Sequence, residues 1–106
     1  MKGDNLGEFE ELVLLAVRRL GESATGSEVQ LLLEREAGRR PALGALYAAL
    51  DRAERKGLIS SWLGTPAPVP GGRARRHYEV TRAGEAALRE SRRVRDALWR
   101  APGQAT

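Results

Sequence analysis

Residues 38–60 read GRRPALGALYAALDRAERKGLIS. Gly38 stops any helix before it, and Pro41 disfavours helical backbone at Arg40 while suiting the first turn of a helix after it. From about Ala42 to Lys56, Leu43, Leu46, Tyr47, Leu50 and Ala53 recur at three- and four-residue steps. That spacing predicts a helix with one inward stripe. With Leu43 as the core direction and about 100° per residue, Gly44, Ala45, Ala48, Arg52 and Arg55 point the other way. The outer face is therefore small at its start and cationic further on. Arg55 and Lys56 suit the negative end of the helix, and Gly57 ends it.

Upstream, Phe9, Leu12, Val13, Ala16, Val17 and Leu20 form the apolar face of a first helix that Gly21 closes. Glu8, Glu10 and Glu11 open it and Arg18 and Arg19 end it, as the helix dipole favours. A second helix carries Val29, Leu32, Leu33 and Ala37 on one side, with Thr25 or Ser27 as its N-cap. Its joint to the third helix is about four residues, Gly38 to Pro41, a length typical of a helix-turn-helix.

Downstream the texture changes. Leu58 to Leu63 is strand-like, Gly64 to Gly72 is rich in Pro and Gly, and Arg75 to Val80 is strand-like again. Two such runs around a Pro/Gly loop predict a hairpin with a long tip. Thr81 caps a last helix from about Arg82 to Arg100, and Pro102-Gly103 ends it. The expected class is mainly α with a β-hairpin: a winged helix-turn-helix over residues 1–80, then a C-terminal dimerisation helix and short tail over 81–106. The 106 residues make one compact domain.

Charge separates along the chain. Residues 1–38 carry a balance of −4 and residues 39–106 one of +8, for a net +4. A basic half on a small domain points to a polyanion. No apolar run reaches the roughly 20 residues that cross a bilayer, so no membrane partner is expected. Cysteine is absent, which removes disulfides and thiolate metal sites and fits a cytoplasmic location. No nucleophile elbow, phosphate loop with Lys or acid–base pair in a cleft is visible, so neither an enzyme nor a cofactor is expected.

The major groove of B-DNA admits one α-helix, and the second helix of a helix-turn-helix supplies it. That assigns Gly44, Ala45, Ala48 and Arg52 to the groove. Arg39 and Arg40, in the turn, are placed to hold the flanking backbone. Arg73, Arg75 and Arg76 beside Gly71-Gly72 make a wing for phosphates or the minor groove. In the last helix Gly84, Ala87, Ser91, Val94, Leu98 and Ala101 form a weak small-residue seam. Together with Phe9 and Leu12 of the first helix and with Trp99, it is the expected dimer interface. Trp62 reads as core packing, and His77 faces solvent or phosphate. The competing reading is a protein-interaction module that keeps the fold without reading DNA, because the third helix offers few hydrogen-bonding groups.

The chain resembles the PadR-like family of bacterial transcriptional regulators, in particular the short members with a single C-terminal helix. The residues that carry the likeness are Leu43-Gly44-Ala45-Leu46-Tyr47, Leu50, Arg52, Glu54 and Lys56-Gly57-Leu58-Ile59. They continue in Gly71-Gly72-Arg73, Arg75-Arg76-His77-Tyr78, Val80-Thr81 and Ala83-Gly84. The resemblance implies a homodimer on a pseudo-palindromic operator, usually as a repressor, with the last helix contacting the partner's first helix. It also implies a phosphate contact for Tyr47. Some members bind small aromatic effectors against a Trp on the last helix; Arg95 stands at that position here, and any effector of this chain is of unknown identity. Ala42 replaces a common Ser cap.

Overall fold

The computed structural model describes residues 6–66 and 69–103. The order is α1 (Glu8–Leu20), a 3-10 turn (Gly21–Ser23), α2 (Gly26–Ala37), α3 (Leu43–Arg55), β1 (Ile59–Leu63), β2 (Arg76–Val80) and α4 (Arg82–Leu98). This is the expected mainly helical plan with a hairpin. Ala67 and Pro68 of the hairpin loop, Met1–Asn5 and the last three residues lie outside the described residues.

Helix α1 is the centre of the core. Val13, Leu14, Ala16 and Val17 are all buried, because α1 packs against α2, α3, β2 and α4. Its covered arc is wider than the single stripe read from the sequence, which omitted Leu14. Phe9, Leu12 and Leu20 sit at the edge of the core, partly buried. Two carboxylates at the start of α1 are also buried, and each has a cation from far along the chain. Lys56 Nζ lies 3.1 Å from Glu10, and Arg95 Nη2 lies 2.7 Å from Glu11. Burial of a charge is tolerable only when it is paired in this way.

Thr25 is the N-cap of α2: its hydroxyl accepts from the Glu28 N–H at 3.4 Å. Gly26 is already helical and Ser27 is not the cap. Val29, Leu32 and Leu33 face inward as expected, whereas Ala37, the last residue of α2, is exposed. Gly38 closes α2 at φ +70, a conformation costly for any residue with a Cβ.

The hairpin is antiparallel, with Ile59 opposite Val80, Ser61 opposite Tyr78 and Leu63 opposite Arg76. A third segment joins its edge: Tyr78 N–H donates to the Ala24 carbonyl at 2.9 Å, and Thr25 bridges to His77. The link between α1 and α2 is thereby tied to the wing.

Thr81 caps α4, its hydroxyl accepting from Gly84 N–H at 3.1 Å and donating to the Gly57 carbonyl at 2.6 Å. Gly84 then rests directly on the backbone of Leu58, where a Cβ would overlap the Leu58 carbonyl. Only Gly84 and Leu88 of α4 are buried; Leu88 was not on the seam read from the sequence. Helix α4 runs antiparallel to α1, held by Arg18–Glu85 (2.9 Å) near one end and Arg95–Glu11 near the other. It ends at Leu98, two residues before the expected stop.

Candidate nucleic-acid interface

Helix α3 is rotated relative to the sequence reading. Leu46, Ala49, Leu50 and Ala53 are fully buried, while Leu43 and Tyr47, both expected on the inner stripe, are 44% and 45% exposed. The centre of the buried arc therefore lies between Leu46 and Ala49 rather than under Leu43. Small residues at Ala49 and Ala53 let α3 approach its neighbours there. The rotation leaves Gly44, Ala45, Ala48 and Arg52 exposed and adds Leu43 and Tyr47 to the outer surface.

Tyr47 lies flat on Gly26, where a Cβ would overlap its ring and hydroxyl. Glycine at position 26 is thus needed for close approach, and the tyrosine is presented at the start of α2. Ala42 supplies no side-chain cap to α3, but the turn is held another way. Gln30, buried in α2, donates from Nε2 to the Pro41 carbonyl at 2.8 Å. That contact spans eleven residues, and a lone Gln in a helical pattern gives no sign of it in the sequence.

The cations divide into paired and unpaired. Arg39 lies 3.4 Å from Glu8 and 5.7 Å from the centroid of the Phe9 ring, a cation–π arrangement. Arg40 lies 2.9 Å from Glu34, and Arg55 pairs with Asp51 one turn away. Arg76 donates from Nη1 to Ser61 Oγ at 3.0 Å, and Ser61 in turn donates to Glu54 Oε2 at 2.8 Å. Among the described residues, the side chains of Arg52, Arg73, Arg75, Arg82 and Arg100 have no hydrogen bond or ion pair, and all five are exposed. The first three lie on the outer face of α3 and on the wing, the two places assigned to DNA; Arg82 opens α4 and Arg100 lies just past its end.

The wing tip is a closed turn. Gly72 N–H donates to the Val69 carbonyl at 2.9 Å, and Gly71 has φ +79. Pro70 followed by a glycine at positive φ is the residue order of a type II turn. The turn leads directly into Arg73.

The aromatic readings need correction. Trp62 is not core packing: it is 41% exposed and stacks on His77, centroids 5.6 Å apart at 15°. Trp62 and His77 are opposite each other in the hairpin register, so they share the face turned away from the core. His77 Nδ1 lies 3.2 Å from the Glu22 carbonyl; this ring belongs to a stack, not to open solvent. No cluster that could hold a metal occurs among the described residues, and no described helix is long and apolar enough to cross a membrane.

The expected dimer residues fall into two groups. Phe9, Leu12, Ala87 and Ser91 are partly buried within this chain. Val94, Leu98 and Trp99 are 42%, 80% and 85% exposed. Leu15 of α1, 43% exposed, was missed because it lies off the first helix's stripe. It lines a groove of about 420 Å³ between α1 and α4, together with Leu88, Arg92 and Trp99.

Residues 13–90 match the Transcriptional regulator PadR-like family. Transcriptional regulator Rv3488 of Mycobacterium tuberculosis is 46% identical over 63 residues, 59% of this chain and 55% of that protein, so the match spans about half the relative's length. The X-ray structure of a PadR-like transcription factor from Bacteroides fragilis superposes with a TM-score of 0.71 at 27% identity, covering 85% of this chain and 82% of that one. A PadR family transcription regulator from hypervirulent Clostridium difficile gives 0.67 at 26% identity, covering 87% and 91%. These proteins are regulators of transcription rather than enzymes. With the family match reaching from α1 into α4, the chain belongs to the PadR-like family of transcriptional regulators.

Proposed function

We propose that the protein is a cytoplasmic homodimeric repressor that binds a pseudo-palindromic operator in double-stranded DNA. Helix α3 enters the major groove, and the wing lies on the backbone or in the minor groove. The observation that supports this best is that α3 and the wing, the fold's two groove-facing elements, both present exposed, unpaired cations. The side chains of Arg52, Arg73 and Arg75 have no partner among the described residues, as is also true of Arg82 and Arg100 at the ends of α4, while Arg39, Arg40, Arg55 and Arg95 are held by carboxylates.

Gly44, Ala45 and Ala48 let the α3 backbone come close to base edges and suit thymine methyls, and Arg52 reaches a guanine edge or a phosphate. Tyr47 meets a phosphate from the edge of the same helix. Arg73, Arg75 and the remaining N–H groups of Arg76 position the wing on the backbone. Arg39 and Arg40 exchange their carboxylates for flanking phosphates.

Dimerisation accounts for α4. A helix end that leaves Leu98 and Trp99 almost wholly in water lacks its cover. Val94, Leu98 and Trp99 meet the α1 face of a second copy, around Leu15 and Leu12. An effector, where one acts, would take the groove beside Trp99, and quenching of tryptophan emission tests for it.

Fluorescence anisotropy with the duplex upstream of the protein's own coding sequence tests the reading. Affinity for that duplex should exceed affinity for a random duplex of equal length and fall steeply with salt. Equal affinity for both would overturn operator recognition. A partner protein that stays bound after nuclease and high-salt treatment would favour the protein-interaction module instead.

A further inference from the structure

We propose that Glu54, Ser61 and Arg76 form a relay that fixes the wing relative to α3, with Ser61 and Glu54 as positioning residues. It rests on the DNA-binding reading above only for its consequence in solution.

Three observations carry it. First, Ser61 is used twice: its hydroxyl donates to Glu54 Oε2 at 2.8 Å and accepts from Arg76 Nη1 at 3.0 Å. One side chain on β1 thus joins the last turn of α3 to the first residue of β2. Second, no other side-chain hydrogen bond or ion pair among the described residues links α3 to the hairpin. Beneath it Ile59 and Tyr78 are buried in the same core as Leu50 and Ala53 of α3, and such apolar and aromatic packing sets distance better than angle. Third, the relay engages the carboxylate of α3 that has no ion pair. Glu54 and Asp51 are the carboxylates of α3, and Asp51 is already matched by Arg55. Glu54 has no ion pair among the described residues, and its carboxylate is held by the Ser61 hydroxyl instead.

Arg76 retains Nε and Nη2 for a phosphate while Nη1 is held. The wing arginines Arg73 and Arg75 follow from the same strand root, three and one residues away. A change in the angle of β2 at Arg76 moves both of them relative to the groove that α3 occupies.

The test uses the full chain, a duplex selected by the parent protein from a random-sequence library, and a scrambled duplex of equal length. Ser61→Ala should weaken the selected duplex about five-fold, the size of one hydrogen bond. It should change the scrambled duplex by less than about two-fold, because there α3 is not seated in a matching groove and the wing meets phosphates at any angle, and it should leave the salt slope unaltered, since no phosphate contact is removed. In the DNA-free protein, backbone amide order parameters from Arg73 to Arg76 should fall. Ser61→Thr keeps the hydroxyl and suits a strand, and it should restore both readouts. Glu54→Ala should reproduce Ser61→Ala. Unchanged order parameters in Ser61→Ala, equal loss on both duplexes, or no rescue by Ser61→Thr would overturn the relay. Should the parent prefer no duplex, the DNA reading falls, and the order parameters still decide the relay.

Discussion

Helices α3 and α4 each hold one face against the core and leave the other in water. What they leave there is opposite in kind. The outer face of α3 shows Gly44, Ala45 and Ala48 with an unpaired Arg52 beyond, a shape and charge suited to a groove lined by phosphates. The far end of α4 shows Leu98 and Trp99, 80% and 85% exposed, which suits only another apolar surface. Both helices pack on α1, but the chemistry of their uncovered faces assigns them different partners. Substitutions on one face should therefore leave the function of the other intact.

The strongest break of that comparison is Ala48→Glu. A carboxylate on the groove face of α3 should lower operator affinity at least about 100-fold, because like-charge juxtaposition costs several kcal/mol. Sedimentation should still show a dimer. A loss of dimer instead would mean that the two faces are not separate. The converse is Leu98→Glu with Trp99→Glu, which should raise the dimer dissociation constant by about 100-fold, the scale of a lost apolar hot spot. Circular dichroism of the monomer should keep its helical signal, since neither side chain is part of the core.

Arg73→Ala sharpens the comparison within the DNA face. Loss of one phosphate contact should weaken all sequences alike, by several-fold, and reduce the log–log salt slope by about one. Arg52→Ala should differ by relaxing preference at one base position. Equal, sequence-independent losses for both would place Arg52 on the backbone.

The smallest effect concerns Tyr78, between α3 and the hairpin. Burial raises its hydroxyl above the ordinary value of 10.0; Tyr47, Glu54 and Asp51 push the same way and Arg76 opposes them. A folded-state value above the unfolded one means that the protonated ring favours the fold. That stability is fully present below about pH 10 and is lost as pH rises through the folded value. Urea midpoints at pH 8 and 11 should show the loss, and Tyr78→Phe should remove its share.

Much of this was legible in the sequence. Apolar spacing found α1, α2 and α3, glycines marked their ends, and the Pro/Gly run between two strand-like segments found the hairpin. Thr81 marked the start of α4 because a threonine before a helical pattern is a good cap, and its hydroxyl does accept from the Gly84 N–H. The phase of α3 was harder. Leu43 and Tyr47 are apolar enough to read as core, yet the small Ala49 holds the centre, because closeness of approach and not size decides which residue is covered. Leu14 was missed for a related reason: α1 is touched on several sides, and a single stripe underestimates such a helix. The links that hold the site, Gln30 to Pro41, Glu10 to Lys56, Glu11 to Arg95 and the Ser61 relay, join residues that only the fold brings together. Trp62 misled because a strand beside a core has two faces, and its register put the ring on the outer one.

The central claim is that α3 and the wing of each of two copies read DNA together. Hydroxyl-radical footprinting of the purified protein on its selected duplex tests it most directly. The account predicts two protected segments whose centres lie about one helical turn apart, roughly 34–36 Å, or a multiple of that spacing. A single protected segment, or protection spread evenly along the duplex, would contradict it.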